Sequence, residues 1–210
     1  EGNAVIAAKD AFGVILWSWH IWLTDRPAEH VYKNGAGTMM DRNLGATSSE
    51  PGDVKTLGLL YQWGRKDPFL GSADIHDDIP VMSTMEWPGS IATSSKTGTV
   101  NYSIANPTVE INGYNSSGND WLYEHDNTLW GVEKTIYDPC PAGWSVPYGG
   151  LNSIWQKAGF DESAIYNTEK EGINFTTSNG YTWYPAAYFL DSETKRGAYW
   201  TYTVQEDESF

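Results

Sequence analysis

The sequence predicts an α+β domain in which two short helices pack on antiparallel sheets built from both ends of the chain. Three observations lead there. Apolar residues alternate through 3–9 and 14–24, a second strand-like pattern fills 172–204, and short stretches of helical spacing fall at 56–66 and 149–158. At 210 residues the chain can bury a sizeable core. With no internal repeat and no interdomain linker, a single domain over 1–210 is expected.

The first two strands flank DAFG at 10–13, which reads as a hairpin turn with Gly13 free to take positive φ. Alternation on the second strand puts Trp17, Trp19, Ile21 and Leu23 on one face, expected to be core. Leu16, Ser18, His20 and Trp22 fall on the other face, which could lie under a loop. Thr56 to Lys66 reads as a helix stopped by Pro68, with Leu59, Leu60 and Trp63 on one stripe. Residues 71–130 are rich in Gly, Ser, Asn and acidic side chains and show little periodicity. They read as a long polar loop insertion, with small strands at 81–85 and 99–104.

Pro139, Pro141 and Pro147 hold an extended segment that delivers Trp144 and Val146 inward. A second helix over 149–158 places Ile154, Trp155 and Ala158 inward and ends on Gly159. From 172 a three-stranded meander is expected: GINFTT, YTWYPAAYFL and AYWTYTV. Pro185 marks an edge, bulge or break in its middle strand. Trp17, Trp19, Trp63 and Trp144 are expected to meet in one buried cluster.

Hydrophobic content of 40%, with 14% aromatic residues, argues for a folded chain. A formal charge of −14 excludes nucleic acid as a partner, because no basic stripe exists to neutralise phosphates. It disfavours an anionic membrane surface for the same reason. No run of about 18 apolar residues is present, so no direct membrane insertion is expected of this stretch of chain. The charged start EGNAV is not a signal peptide and reads as the start of a mature fragment of a larger protein. Cys140 is the single cysteine, which rules out an internal disulfide.

No catalytic constellation emerges. The four histidines are scattered and form no HExxH pair, and no Gly-x-Ser-x-Gly elbow is present. Cys140 lies between two prolines without a local base. The chain is therefore expected not to be an enzyme and to carry no cofactor. The alternative is calcium, whose preference for hard oxygen ligands would suit Asp74, Asp77 and Asp78, with Asn119 and Asp120 as further donors. The richest feature is aromatic: Trp183, Tyr184, Tyr188, Tyr199, Trp200 and Tyr202 crowd near the C-terminal end. Rings with polar tips suit stacking on sugars or protein recognition, so these six are the candidate ligand-binding residues.

Five stretches carry a resemblance: WSWHIW at 17–22, MDRNLGA at 40–46, GLLYQWGRKDPF at 58–69, DPCPAGWSVP at 138–147 and GAYWTYT at 197–203. In this order they resemble the C-type-lectin-like major-paralogous (FISUMP) domain of fimbrillin-like bacterial surface proteins. The resemblance implies a C-type-lectin-like fold and an exported, non-catalytic adhesin or fimbrial tip-like domain. It implies a place on the cell surface, outer membrane or fimbria of a bacterium. Implied partners are a host or bacterial surface glycan or protein, and other fimbrial subunits. Two alternatives stand beside it. One is a structural pilus subunit, completed by a partner strand at an open edge around 198–204; the other is a sequence-diversified lectin-like receptor.

Overall fold

Alternating apolar residues on either side of a tight turn form the expected hairpin, β1 (Gly2–Lys9) with β2 (Ile15–Leu23). The Asp10 carboxylate accepts from the Phe12 and Val14 amides and closes the turn, while Gly13 takes φ 85°. This computed structural model describes residues 1–69, 89–113, 120–159, 165–178, 180–186 and 199–203.

The buried face of the hairpin is the reverse of the one expected. Ser18 is buried, and Trp22 Nε1 donates to the Ala46 carbonyl at 2.9 Å. Trp19, Ile21 and Leu23 face solvent at 48%, 44% and 66% exposure. The reason is chemical: the body beneath offers Asp67, Tyr61 and the carbonyls of Gly45 and Ala46. The face bearing Ser18, His20 and Trp22 can satisfy those groups, and the purely apolar face cannot.

The main sheet joins early and late strands. β3 (Glu29–Tyr32) and β4 (Gly37–Met40) pair antiparallel, and Tyr32 pairs with Thr177 of β8 (Gly172–Thr177). β9 (Gly180–Pro185) runs antiparallel along the whole of β8. β3 and the short β7 (Ile165–Asn167) therefore share the other edge of β8. Pro185 ends β9, as its missing donor requires. Under this sheet Tyr32, Phe175, Ile154 and Ala158 form one core cluster.

Helix α2 (Ile154–Ala158) supplies two of those residues. It is capped by the Ser153 hydroxyl accepting from the Gln156 amide, and it ends on Gly159 at φ 83°. The other expected helix, at 56–66, is absent. A 3-10 turn covers Val54–Thr56, and the chain then runs irregularly to a bridge between Leu60 and Phe69. Gly58 and Gly64 adopt φ 71° and 78°, and a Cβ on Gly58 would sit 2.6 Å from the Leu44 carbonyl oxygen. The apolar spacing that imitated a helix serves this irregular strap.

Part of 71–130 is also more ordered in kind than a polar loop. β5 (Ser90–Ala92) and β6 (Glu110–Asn112) pair in parallel. Helix α1 (Val100–Ala105) lies between them in sequence, where a strand had been expected at 99–104. Thr99 caps that helix through the Tyr102 amide. Ile111, Trp121, Leu122 and Leu129 make a second core cluster, with Trp63 and Tyr102 packed against it. The expected small strand at 81–85 lies outside the described residues.

Two further expectations are corrected. The four tryptophans do not form one buried cluster: Trp63 packs beside Trp130 at 5.6 Å, while half-buried Trp17 lies between Lys66 and Tyr137. Residues 199–203 do not form the third meander strand. Their bonds are single anchors: the Tyr202 amide to Pro147 O, the Trp200 indole to Tyr61 O, the Tyr199 hydroxyl to Pro185 O, the Trp63 indole to Thr201 O and the Gly149 amide to the Thr203 hydroxyl. A strand edge waiting there for a partner is therefore not seen. Mainly antiparallel sheets, one short parallel pair and two short helices among the described residues make the domain a mixed α and β one. Among the described residues no helix is long and apolar enough to cross a membrane.

The hairpin is tied down by a buried ion pair. Lys66 Nζ lies 2.8 Å from both Asp67 carboxylate oxygens, and the two side chains are 10% and 5% exposed. Removing one charge strands the other in the interior, so Asp67→Ala is expected to destabilise the fold by about 3–5 kcal/mol. Urea unfolding at neutral pH checks this; a midpoint unchanged from the parent chain would contradict the assignment.

Candidate functional site: an aromatic cleft between the two cores

A cavity of about 190 Å³ lies between the sheet core and the second core. One wall is aromatic. Tyr184 and Tyr199 meet edge to face at 5.0 Å and 86°, and Trp155 stands 6.3 Å from Tyr184. Leu44, Leu57, Leu59 and Leu60 line the cavity as well. Trp200, 53% exposed, and solvent-facing Ser145 also line the cavity, so it reaches the surface there.

The loop at 138–147 is folded onto the cavity by one buried carboxylate. Asp138 Oδ1 accepts from the Cys140 amide and from Lys134 Nζ, both at 2.8 Å, and Oδ2 accepts from the Val146 amide at 3.0 Å. This closes the proline-rich segment and sets Cys140, Trp144 and Val146 on the lining. Burial, with Asp138 beside it, pushes the Cys140 thiol pKa far up, so the sulfur stays protonated at neutral pH. Burial likewise raises Tyr199, Tyr184 and Tyr61, which remain phenols.

Behind the strap, His20 links hairpin to cleft. Its Nε2 lies 2.8 Å from Asn3 Oδ1, and its Nδ1 lies 3.2 Å from the Tyr61 hydroxyl. Asn3 gives its amide group to the Gly45 carbonyl. Its Oδ1 therefore accepts, which makes Nε2 the protonated nitrogen and leaves Nδ1 to accept from Tyr61. Arg42 at the lining is held by Asp41 at 2.8 Å, Asp25 at 2.7 Å and the Thr24 hydroxyl at 3.2 Å.

Of the candidate residues, Trp183, Tyr184, Tyr199 and Trp200 converge on this cavity. Tyr202 does not; it packs edge-on against Tyr148 at 5.5 Å. Tyr188 lies outside the described residues. So do Asp74, Asp77 and Asp78, the calcium alternative, together with Asn119. Asp120 is engaged, with His125 Nδ1 at 2.6 Å and the Leu122 amide at 3.0 Å. Among the described residues no group of three His, Cys, Asp or Glu side chains could hold a metal ion. Sequence reasoning missed Trp144 and Trp155 as site residues, because both were assigned inward to a core. Residues that point inward can still border a cavity, and no local signal separates the two.

Compared with protein-family models, with curated proteins and with solved structures, the chain finds no match.

Burial holds His20 pKa down to about 4, against the opposing pull of Asp67. The unfolded histidine titrates near ~6.5, so the unfolded state binds the extra proton between these values. Stability contributed by neutral His20 is complete above that range and is lost as pH falls from about 6.5 toward 4. The expected outcome is a loss of stability between pH 7 and pH 4.5 that is shallower in His20→Gln. Parallel pH profiles for the two chains, by urea unfolding, would contradict the neutral assignment.

Proposed function

We propose that this chain is a non-catalytic, cell-surface recognition domain: an adhesin or fimbrial tip-like domain whose ligand engages the aromatic cleft. One observation carries the reading. Four of the five stretches behind the FISUMP resemblance meet on the cleft lining: Asn43 from 40–46, Tyr61 from 58–69, Trp144 from 138–147 and Trp200 from 197–203. The remaining stretch supplies His20, bonded to Tyr61. The pairing of early with late strands also supports the C-type-lectin-like fold within the broader α and β class. A thiol held protonated and phenols raised by burial favour binding over nucleophilic chemistry. The proposed setting is an exported domain on the bacterial surface or fimbria, facing a glycan or protein ligand.

The test is binding to glycan arrays and to intact cells, with and without calcium. Trp200→Ala should lower binding roughly tenfold, close to the ~0.5–1.5 kcal/mol of one aromatic contact, while the fold persists. Unchanged binding in Trp200→Ala, or no binding to any surface, would remove the reading.

A second reading, an assembly subunit, is favoured by the hairpin. Ala4, Ile6, Ala8, Trp19, Ile21 and Leu23 share its outward face, where no charged side chain falls. On a chain of net charge −14, an uncharged face is where a second copy meets least repulsion. Sedimentation should show self-association that strengthens with salt and is abolished in Ile21→Lys. A monomer at every concentration would exclude it.

A further inference from the structure

We infer that the cleft takes a single aromatic ring from its ligand, and that a sugar ring does not enter it. The inference rests on the reading of the cleft as a recognition site and narrows its ligand chemistry. Most polar side chains on the lining are already bonded within the chain, solvent-facing Ser145 being the exception at the surface. The Tyr61 hydroxyl is bonded to His20, Tyr184 to Tyr32, Tyr199 to the Pro185 carbonyl and Thr182 to His30. The Arg42 guanidinium faces two aspartates, and the Asn43 amide donates to the Leu57 carbonyl. The surface they leave to the cavity is mostly carbon.

A pyranose carries several hydroxyls, and each hydroxyl buried without a partner costs on the order of 1–3 kcal/mol. An aromatic ring brings no such debt. Size agrees: an apolar cavity of ~150 Å³ holds benzene and stays dry, and this one is about 190 Å³. The edge-to-face pair of Tyr184 and Tyr199, with Trp155 beside it, offers an incoming ring both faces and edges to pack on. Trp200 at the mouth is exposed and can cover the remainder of the ligand. The same chemistry is supplied by a free aromatic molecule or by an aromatic side chain of a protein ligand.

Methyl-labelled methionine resonances give the test without altering the cleft, because Met39 and Met40 both line it. Indole is expected to shift both methyls saturably, and methyl glycosides are expected to leave them in place. A Gly-Gly-Trp-Gly-Gly peptide shifting the same methyls assigns the ring to a protein ligand; indole acting alone assigns it to a small molecule. Leu59→Trp, which fills the cavity from the leucine wall, should weaken indole binding at least tenfold. Should that variant fail to fold, the methyl shifts in the parent chain still decide the matter. Glycosides moving the methyls while indole does not overturns the inference and leaves recognition standing. Neither probe moving them also overturns it, and the cell-binding assay then decides recognition separately.

Discussion

The ammonium of Lys66 donates to both carboxylate oxygens of Asp67, to the Ser18 hydroxyl at 2.6 Å and to the Ser18 carbonyl at 2.9 Å. The Ser18 hydroxyl in turn donates to Asp67 at 2.7 Å. This closed set of bonds sits beside Arg65, which is 2% exposed and reaches the carbonyls of Asn106, Pro107 and Val109. Arg65 also lies 4.8 Å over Phe69 and 5.5 Å from Trp121. Buried charges of this kind need partners for their donors, and all of these but Arg65 Nε find one, so the strap at 61–67 dictates where the other pieces stand. Gln62 both donates to and accepts from Ile111, and the Trp63 carbonyl accepts the Trp121 indole. On the C-terminal side, the Trp63 indole reaches Thr201 O and the Trp200 indole reaches Tyr61 O. Hairpin, second core and C-terminal segment are thus fastened to the same seven residues.

The cleft follows from that arrangement. Each core buries its own apolar residues, and Trp63 of the strap packs on the second while Gln62, Arg65 and Lys66 bond to other elements. The space left is bounded by Leu44 and by the leucines at 57–60 that lead into the strap, together with the rings of β9, α2 and residues 199–200. Those rings are fixed in advance: the Tyr184 hydroxyl is bonded to Tyr32, and the Tyr199 hydroxyl to Pro185. A ligand would meet a surface that loses little side-chain freedom on binding.

The sequence was most legible where local rules act alone. The DAFG turn, the Gly159 cap and the break at Pro185 each rest on a single backbone constraint, and each is found in place. Alternation identified β2 but not its buried face, because burial there was decided by Asp67, some 49 positions away, and by the carbonyls of 45–46. The 56–66 segment has helical spacing, yet its polar side chains bind distant backbone and Gly58 and Gly64 hold positive φ. The parallel pair of β5 and β6 was invisible because three-residue strands leave almost no periodic trace. For the site, the crowding of aromatic residues near the C-terminal end pointed to four of the lining residues. The remainder of the lining comes from segments far apart in sequence, brought together by the strap and by the Asp138 bonds of the 138–147 loop.

If the strap fastens the pieces, they open together. Native-state hydrogen exchange measures this most directly, by comparing the opening free energies of amides in β2, in β6 and in β8. The expected result is a common value for the slowest amides of all three, falling together when Asp67 is replaced. A hairpin or a β5–β6 unit that exchanges far faster than β8, and is indifferent to Asp67, would contradict the account.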